Sequence, residues 1–166
     1  MIIRKHFTRE ELPPIREIPG RPRYFVTDQG ELYHLLRNGL FSLRKWAKAS
    51  PNRKRDGGKV NYLSLSADDF PFMTAHKAVM LAWGTPKPED KDEIDHRNGD
   101  PKDNRIINLE WVTTEENNRR RWILYGLRKA GINPTKLPLP VLNKYLDPRM
   151  QTDPLELAAR DIDKYR

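Results

Sequence analysis

Fourteen prolines in 166 residues set the first limit on what this chain can fold into. Proline lacks a backbone donor and breaks helix interiors and central strands. Here the prolines gather at positions 13, 14, 19 and 22, at 86 and 88, and at 134, 138, 140 and 148. Apolar residues make up 37% of the chain and charged ones 33%, so one large core is hard to build. A small domain with appended pieces fits better than a single ordinary domain. Four stretches follow: residues 1–22 as an extended arm, 23–70 as an antiparallel sheet, 71–131 as a central domain and 132–166 as a C-terminal helical extension. No internal repeat is visible.

Within the second stretch, Tyr24-Phe25-Val26 and Glu31-Leu32-Tyr33-His34-Leu35-Leu36 flank the turn signal Asp28-Gln29-Gly30, which predicts a β-hairpin. Phe41 to Trp46 and Asn61 to Ser66 alternate apolar with polar residues, as half-buried strands do. Between them lies a basic, glycine-containing loop with Lys54, Arg55 and Lys59; it is either a solvated turn or a nucleic-acid contact. Ala75 to Trp83 reads as a packing helix with Thr74 placed to cap it and Gly84 to end it. His76 reads as a core-facing or helix-start residue. Further on, Thr113 and Glu116 form a capping-box pair ahead of a helix running to Lys129 or Ala130, with Gly131 as its stop. Asp153-Pro154-Leu155-Glu156 signals a last helix reaching about Tyr165.

The chemistry-bearing stretch is Glu93-Ile94-Asp95-His96-Arg97-Asn98-Gly99-Asp100, followed by Asp103-Asn104-Arg105, Asn108-Leu109-Glu110-Trp111-Val112-Thr113 and Asn117. This order and spacing resembles the HNH family, and most of all the HNH homing endonucleases of phages and introns. The segment from Tyr24 to Tyr33 also resembles the small sheet module that precedes the nuclease site in many of them. The resemblance implies an α+β protein: an N-terminal antiparallel sheet module, a ββα-metal nuclease core and C-terminal helices. Its first strand would run from about Glu93 to Asp95, its second from Ile107 to Val112, and its helix from near Thr114.

The same resemblance assigns roles. His96 matches the general base, a task for which imidazole, with an ordinary pKa near ~6.5, is suited at neutral pH. Asp95 and Asn117 match the metal ligands. Asn118 is adjacent, and only the fit to the family pattern favours Asn117. Carboxylate and amide oxygens are hard donors, so one Mg2+ or Mn2+ per active site is expected. The ion would offset charge growing on the departing 3′ oxygen. Asn108 matches the middle Asn, which in the family bonds within the hairpin loop and keeps the histidine in place. Asn104 and Asn98 serve as turn residues. Ile107, Leu109 and Trp111 alternate and are expected in the core. Arg120 and Arg121 lie three and four positions beyond Asn117, on its helix face, and either hold phosphates or form an exposed face. Arg105 is a phosphate clamp or a loop brace.

The formal net charge is +8, and residues 1–60 alone hold fourteen Lys and Arg against six Asp and Glu. A field of that sign suits a polyanion and predicts salt-dependent binding. Double-stranded DNA is the expected partner, met through Arg44, Lys45, Lys54, Arg55, Lys59, Arg97, Arg105, Arg120 and Arg121. There is no cysteine, hence no disulfide frame or cysteine-bound zinc. No run approaches the ~18 apolar residues of a membrane span, so no membrane partner and a cytoplasmic location are expected. The expected reaction is metal-dependent hydrolysis of DNA to 5′-phosphate and 3′-hydroxyl ends, site-specific in the homing manner. A low-specificity HNH nuclease and a DNA-binding protein without catalysis are the alternatives. Monomer or homodimer stays open.

Overall fold

A computed structural model describes residues 6–48, 52–53, 59–60, 63–67, 70–147, 149 and 156. Its contacts divide into two compact units, residues 1–86 with 101–109, and residues 87–100 with 110–166. The fold class is mixed, with antiparallel sheets and helices, as expected.

In the first unit, β1 (His6–Phe7), β2 (Ile15–Ile18), β3 (Arg21–Thr27), β4 (Leu32–Leu35) and β5 (Phe41–Arg44) form one antiparallel sheet in the order β1-β5-β4-β3-β2. The hairpin expected around Asp28-Gln29-Gly30 is β3–β4, paired Tyr24 to His34 and Val26 to Leu32. The front of the chain departs from its expected extended arm. Ile15 and Ile18 are buried in β2, which pairs with β3 across the turn at Pro19-Gly20. Pro22 is tolerated inside β3 because it falls in the irregularity of the β2–β3 ladder between Arg21 and Phe25, and the β3–β4 ladder starts only at Tyr24. Ile15, Tyr33 and Phe41 make a core lined by Phe7, Leu12, Phe25 and Leu35. Alternation failed at Leu43, which is 50% exposed although its period places it with Phe41.

Short pieces β6 (Ala47–Lys48), β7 (Asn52–Arg53), β8 (Lys59–Val60), β9 (Leu63–Ala67) and β10 (Phe70–Thr74) follow; β10, β9 and β6 form a three-stranded sheet and β7 pairs β8. Lys54 and Arg55 lie outside the described residues. Helix α1 (Ala75–Trp83) has the expected bounds and buries Ala75, Ala78, Val79 and Met80. Thr74 sits at its N-cap without a capping side-chain bond; its hydroxyl meets His76 Nε2 at 3.0 Å instead. The helix is tied to the large sheet where Trp83 Nε1 donates to the Val26 carbonyl at 2.8 Å, with the Arg16 guanidinium 4.2 Å above the Trp83 ring. Segment 101–109 is held to the same sheet. The Ile106 amide donates to the Asp28 carbonyl at 2.8 Å, and a side chain at Gly30 would press within 3.2 Å of Asn104 Cβ.

The second unit holds β11 (Glu93–His96), paired with β12 (Leu109–Val112), all but the first residue of which lies in this unit, then α2 (Thr114–Lys129) and α3 (Leu139–Leu146). Strand β12 begins later than expected, because Ile106–Asn108 is a 3₁₀ turn. Ile107 is therefore 61% exposed rather than in the core, while Leu109 and Trp111 are buried. The capping box is present in full: the Thr113 hydroxyl accepts from the Glu116 amide, and the Glu116 carboxylate accepts from the Thr113 amide. Gly131, at φ +83°, supplies the left-handed residue that ends the helix. Ile123, Leu124 and Leu127 of α2 pack with Ile132, Leu137, Leu142, Tyr145 and Leu146. Helix α3 was not singled out from the sequence; Pro138 and Pro140 stand at its start, where missing donors cost nothing. The helix expected from Asp153 to Tyr165 lies outside the described residues, save Glu156, which is helical.

Candidate active site

Strand β11 delivers Asp95 and His96 side by side, and both are buried. Just beyond, the chain reverses: the Gly99 amide donates to the His96 carbonyl at 2.7 Å, and the Asn98 side chain accepts from the Asp100 amide at 2.9 Å. Gly99 has φ +68°, and a Cβ there would come within 2.8 Å of Arg128 Nη2 and 2.9 Å of Leu124 Cδ1, so only glycine fits. Arg128 in turn donates to the Gly99 carbonyl at 3.2 Å, tying the turn to α2.

Residues i and i+2 of a strand share a face, which puts Glu93 on the side of Asp95. Glu93 binds the first turn of α2 with both oxygens, accepting from the Thr114 hydroxyl at 2.9 Å and from Asn117 Nδ2. With its nitrogen so engaged, Asn117 keeps its amide oxygen as the atom for other work. Burial pushes the Asp95 carboxyl above its ordinary range, a shift that the Arg120 guanidinium and His96 partly oppose.

Arg120 is the main difference from expectation. Read from the sequence as a phosphate contact or part of an exposed helix face, it is a buried cation whose Nη1 lies 2.9 Å from Glu110 Oε2 and 3.4 Å from Asp95 Oδ2. Arg97 Nε lies 3.2 Å from the same Glu110 oxygen. Arg121 is on the exposed side of α2. Sequence reasoning singled out neither Glu93 nor Glu110 as site residues; strand periodicity beside Asp95 was the available signal for Glu93.

Three other expected residues belong to the first unit. Asn108 is wholly buried and donates from Nδ2 to the Asp103 carbonyl at 2.8 Å; Asn104, also buried, donates to the Lys102 carbonyl at 3.1 Å. Arg105 forms a two-pronged pair with Asp103, at 2.8 and 2.7 Å, which makes it a brace of its own loop. Arg44 and Lys45 are exposed at the end of β5.

The HNH endonuclease family model matches residues 78–119. It is this stretch of the chain that is similar to the HNH endonuclease family. An uncharacterized HNH endonuclease of Acanthamoeba polyphaga mimivirus is 33% identical over 105 residues, covering 61% of this chain. The chain spans about a quarter, 24%, of that relative's length. Among solved structures, the HNH homing endonuclease I-HmuI, described bound to and cleaving DNA, aligns with 80% of this chain and 66% of its own at 19% identity and a TM-score of 0.45. Residues 78–119 take in most of α1, all of β11 and β12 and the first turns of α2, with Asp95, His96, Asn108 and Asn117 all inside the matched stretch.

Its donors suit a hard divalent cation. Among the described residues no three His, Asp or Glu side chains converge as a metal cluster. Asp95 and Asn117 would offer one carboxylate and one amide oxygen, hard donors of the kind that suit ions keeping much of their water. No helix of the described residues is long and apolar enough to cross a membrane.

Proposed function

We propose that this protein is a metal-dependent DNA endonuclease, using Asp95 and Asn117 as cation ligands and His96 as general base. The observation that carries the reading is the pairing, within one compact unit, of a buried Asp95-His96 strand end with a helix whose Asn117 amide is fixed by Glu93. A surface helix asparagine needs no such tether, whereas a ligand must present its oxygen in one orientation.

When bound, Mg2+ or Mn2+ supplies Lewis-acid stabilisation of the charge that grows on the phosphate and the departing oxygen. His96 takes a proton from water at a ring nitrogen, and the water oxygen bonds to phosphorus as the bond to the 3′ oxygen breaks. The departing 3′ oxygen takes a proton from solvent water, so the ends left are 5′-phosphate and 3′-hydroxyl. Asn108 closes the 103–108 loop and acts by positioning. Double-stranded DNA is held by exposed cations, among them Arg44, Lys45 and Arg121, and cutting is site-specific in the homing manner.

The test is digestion of end-labelled phage and host genomic DNA by the wild type and His96→Ala, with Mg2+, with Mn2+ and with EDTA. Discrete fragments that vanish with EDTA and in the variant are expected. A metal-dependent smear overturns the specificity, and binding without any cutting overturns the catalysis.

A further inference from the structure

The two carboxylates on Arg120 are unequal. Both reach the same nitrogen, Nη1, but Glu110 does so at 2.9 Å and Asp95 at 3.4 Å, near the limit of a hydrogen bond. Arg120 Nε is buried with no hydrogen-bond partner, so the guanidinium is not seated in a fully matched polar cage. It is held by charge, strongly at Glu110 and weakly at Asp95. A buried carboxylate left without a counter-charge is costly, and Asp95, whose side chain is 10% exposed, has Arg120 as its nearest cation among the ion pairs described.

We propose that Arg120 is an exchangeable counter-ion: it neutralises Asp95 while no divalent cation is bound and is retained by Glu110 when one binds. This rests on the reading of Asp95 as a cation ligand. The free protein then binds Mg2+ or Mn2+ weakly, because the incoming ion must displace a resident positive charge from its own ligand. Glu110 sets how readily that charge is released. Arg97, which shares the same Glu110 oxygen, competes with Arg120 for it. The arrangement makes Arg120 and Glu110 positioning residues of opposite sign, neither of which need touch DNA.

The test is a calorimetric titration of the full chain with MnCl2, without DNA, comparing the wild type with Arg120→Gln, Arg120→Lys, Glu110→Gln and Asp95→Asn at low and high salt. Coupling between charges this close is expected to be roughly tenfold. Arg120→Gln should bind Mn2+ about tenfold more tightly and Glu110→Gln about tenfold more weakly, since Arg120 then commits to Asp95. Arg120→Lys should stay near the wild type, and Asp95→Asn should abolish binding. A general surface field would be screened by added salt, whereas a buried exchange persists.

Circular dichroism checks that each variant folds; if Arg120→Gln does not, Glu110→Gln against Arg120→Lys decides. An affinity unchanged in Glu110→Gln, or weaker in a folded Arg120→Gln, overturns the exchange, as does the absence of Mn2+ binding in every variant. DNA cutting separates the two readings. Metal-dependent cleavage with no affinity shifts sinks the exchange and leaves the nuclease, and shifts without cleavage do the reverse.

Discussion

Replacing Asn108 tests whether the centre of the HNH motif is held by a donated hydrogen bond or by volume. Asn108 is 0% exposed, and its Nδ2 donates to the Asp103 carbonyl at 2.8 Å. In Asn108→Ala that carbonyl loses its donor where the amide had been, costing about 1–3 kcal/mol. The space vacated by the amide adds about 1 kcal/mol. The total, about 2–4 kcal/mol, corresponds to a melting temperature lower by about 5–15 °C for a chain of this size. Asn108→Asp discriminates between the two causes, because it preserves shape while placing an acceptor against the Asp103 carbonyl. At neutral pH it should destabilise at least as much as alanine, since it buries a charge facing an oxygen. The penalty should shrink as pH falls and the protonated carboxyl becomes a donor. Urea unfolding of the three proteins at pH 5 and pH 7.5 reads this directly. An aspartate variant as stable as the wild type at pH 7.5 would refute the donor account.

Leu127 is wholly buried between α2 and α3, so Leu127→Ala should cost about 3 kcal/mol and lower the melting temperature by about 6–12 °C in a thermal scan. Gly84 has an ordinary φ, yet a Cβ there would stand 2.6 Å from the Met80 carbonyl oxygen; Gly84→Ala should destabilise by about 1–3 kcal/mol in urea despite alanine's better helix propensity. The Glu116 carboxyl is held below its usual range, chiefly by the bond from the Thr113 amide. Its folded pKa is lower than its unfolded one, so its contribution is present above the ordinary carboxylate range and is lost as pH falls through it. Melting scans from pH 7 to pH 3 should show the wild type losing its advantage over Glu116→Gln below about pH 4.5, and a constant difference would contradict the linkage.

How much the sequence disclosed depended on how local each determinant was. The bounds of α1 and α2 were legible because Thr113, Glu116, Gly84 and Gly131 act within a turn of the residues they cap or stop. The motif order was legible because Asp95, His96, Asn108 and Asn117 carry it by identity and spacing. Strand β2 was not. Pro13, Pro14, Pro19 and Pro22 read as an arm, yet Pro19 lies in the turn and Pro22 lies where the β3–β4 ladder has not begun, so none of them breaks a sheet bond that the fold uses. Ile107 was misplaced for a related reason. Alternation cannot tell a strand from a 3₁₀ turn that leads into one, and the turn rotates Ile107 outward before β12 starts.

The arginines show where counting charge goes astray. Around the motif the sequence places Arg97, Arg105 and Arg120 among basic residues suited to phosphate. The fold turns Arg97 and Arg120 onto Glu110, Arg120 also onto Asp95, and Arg105 onto Asp103. Their partners are 13, 10, 25 and 2 residues away in the chain, and only the last is close enough to be read without a structure. On the proposed DNA-cutting role, a guanidinium already paired with a carboxylate releases few counterions on binding, so it adds little to the salt dependence. That dependence should come instead from cations the fold leaves exposed, such as Arg44 and Lys45 on the sheet and Arg121 on α2. The motif's own arginines then serve its carboxylates: Arg120 bridges Asp95 and Glu110, and Arg97 adds a second cation at Glu110. The positive field comes mainly from residues 1–60, where basic side chains outnumber acidic ones most heavily.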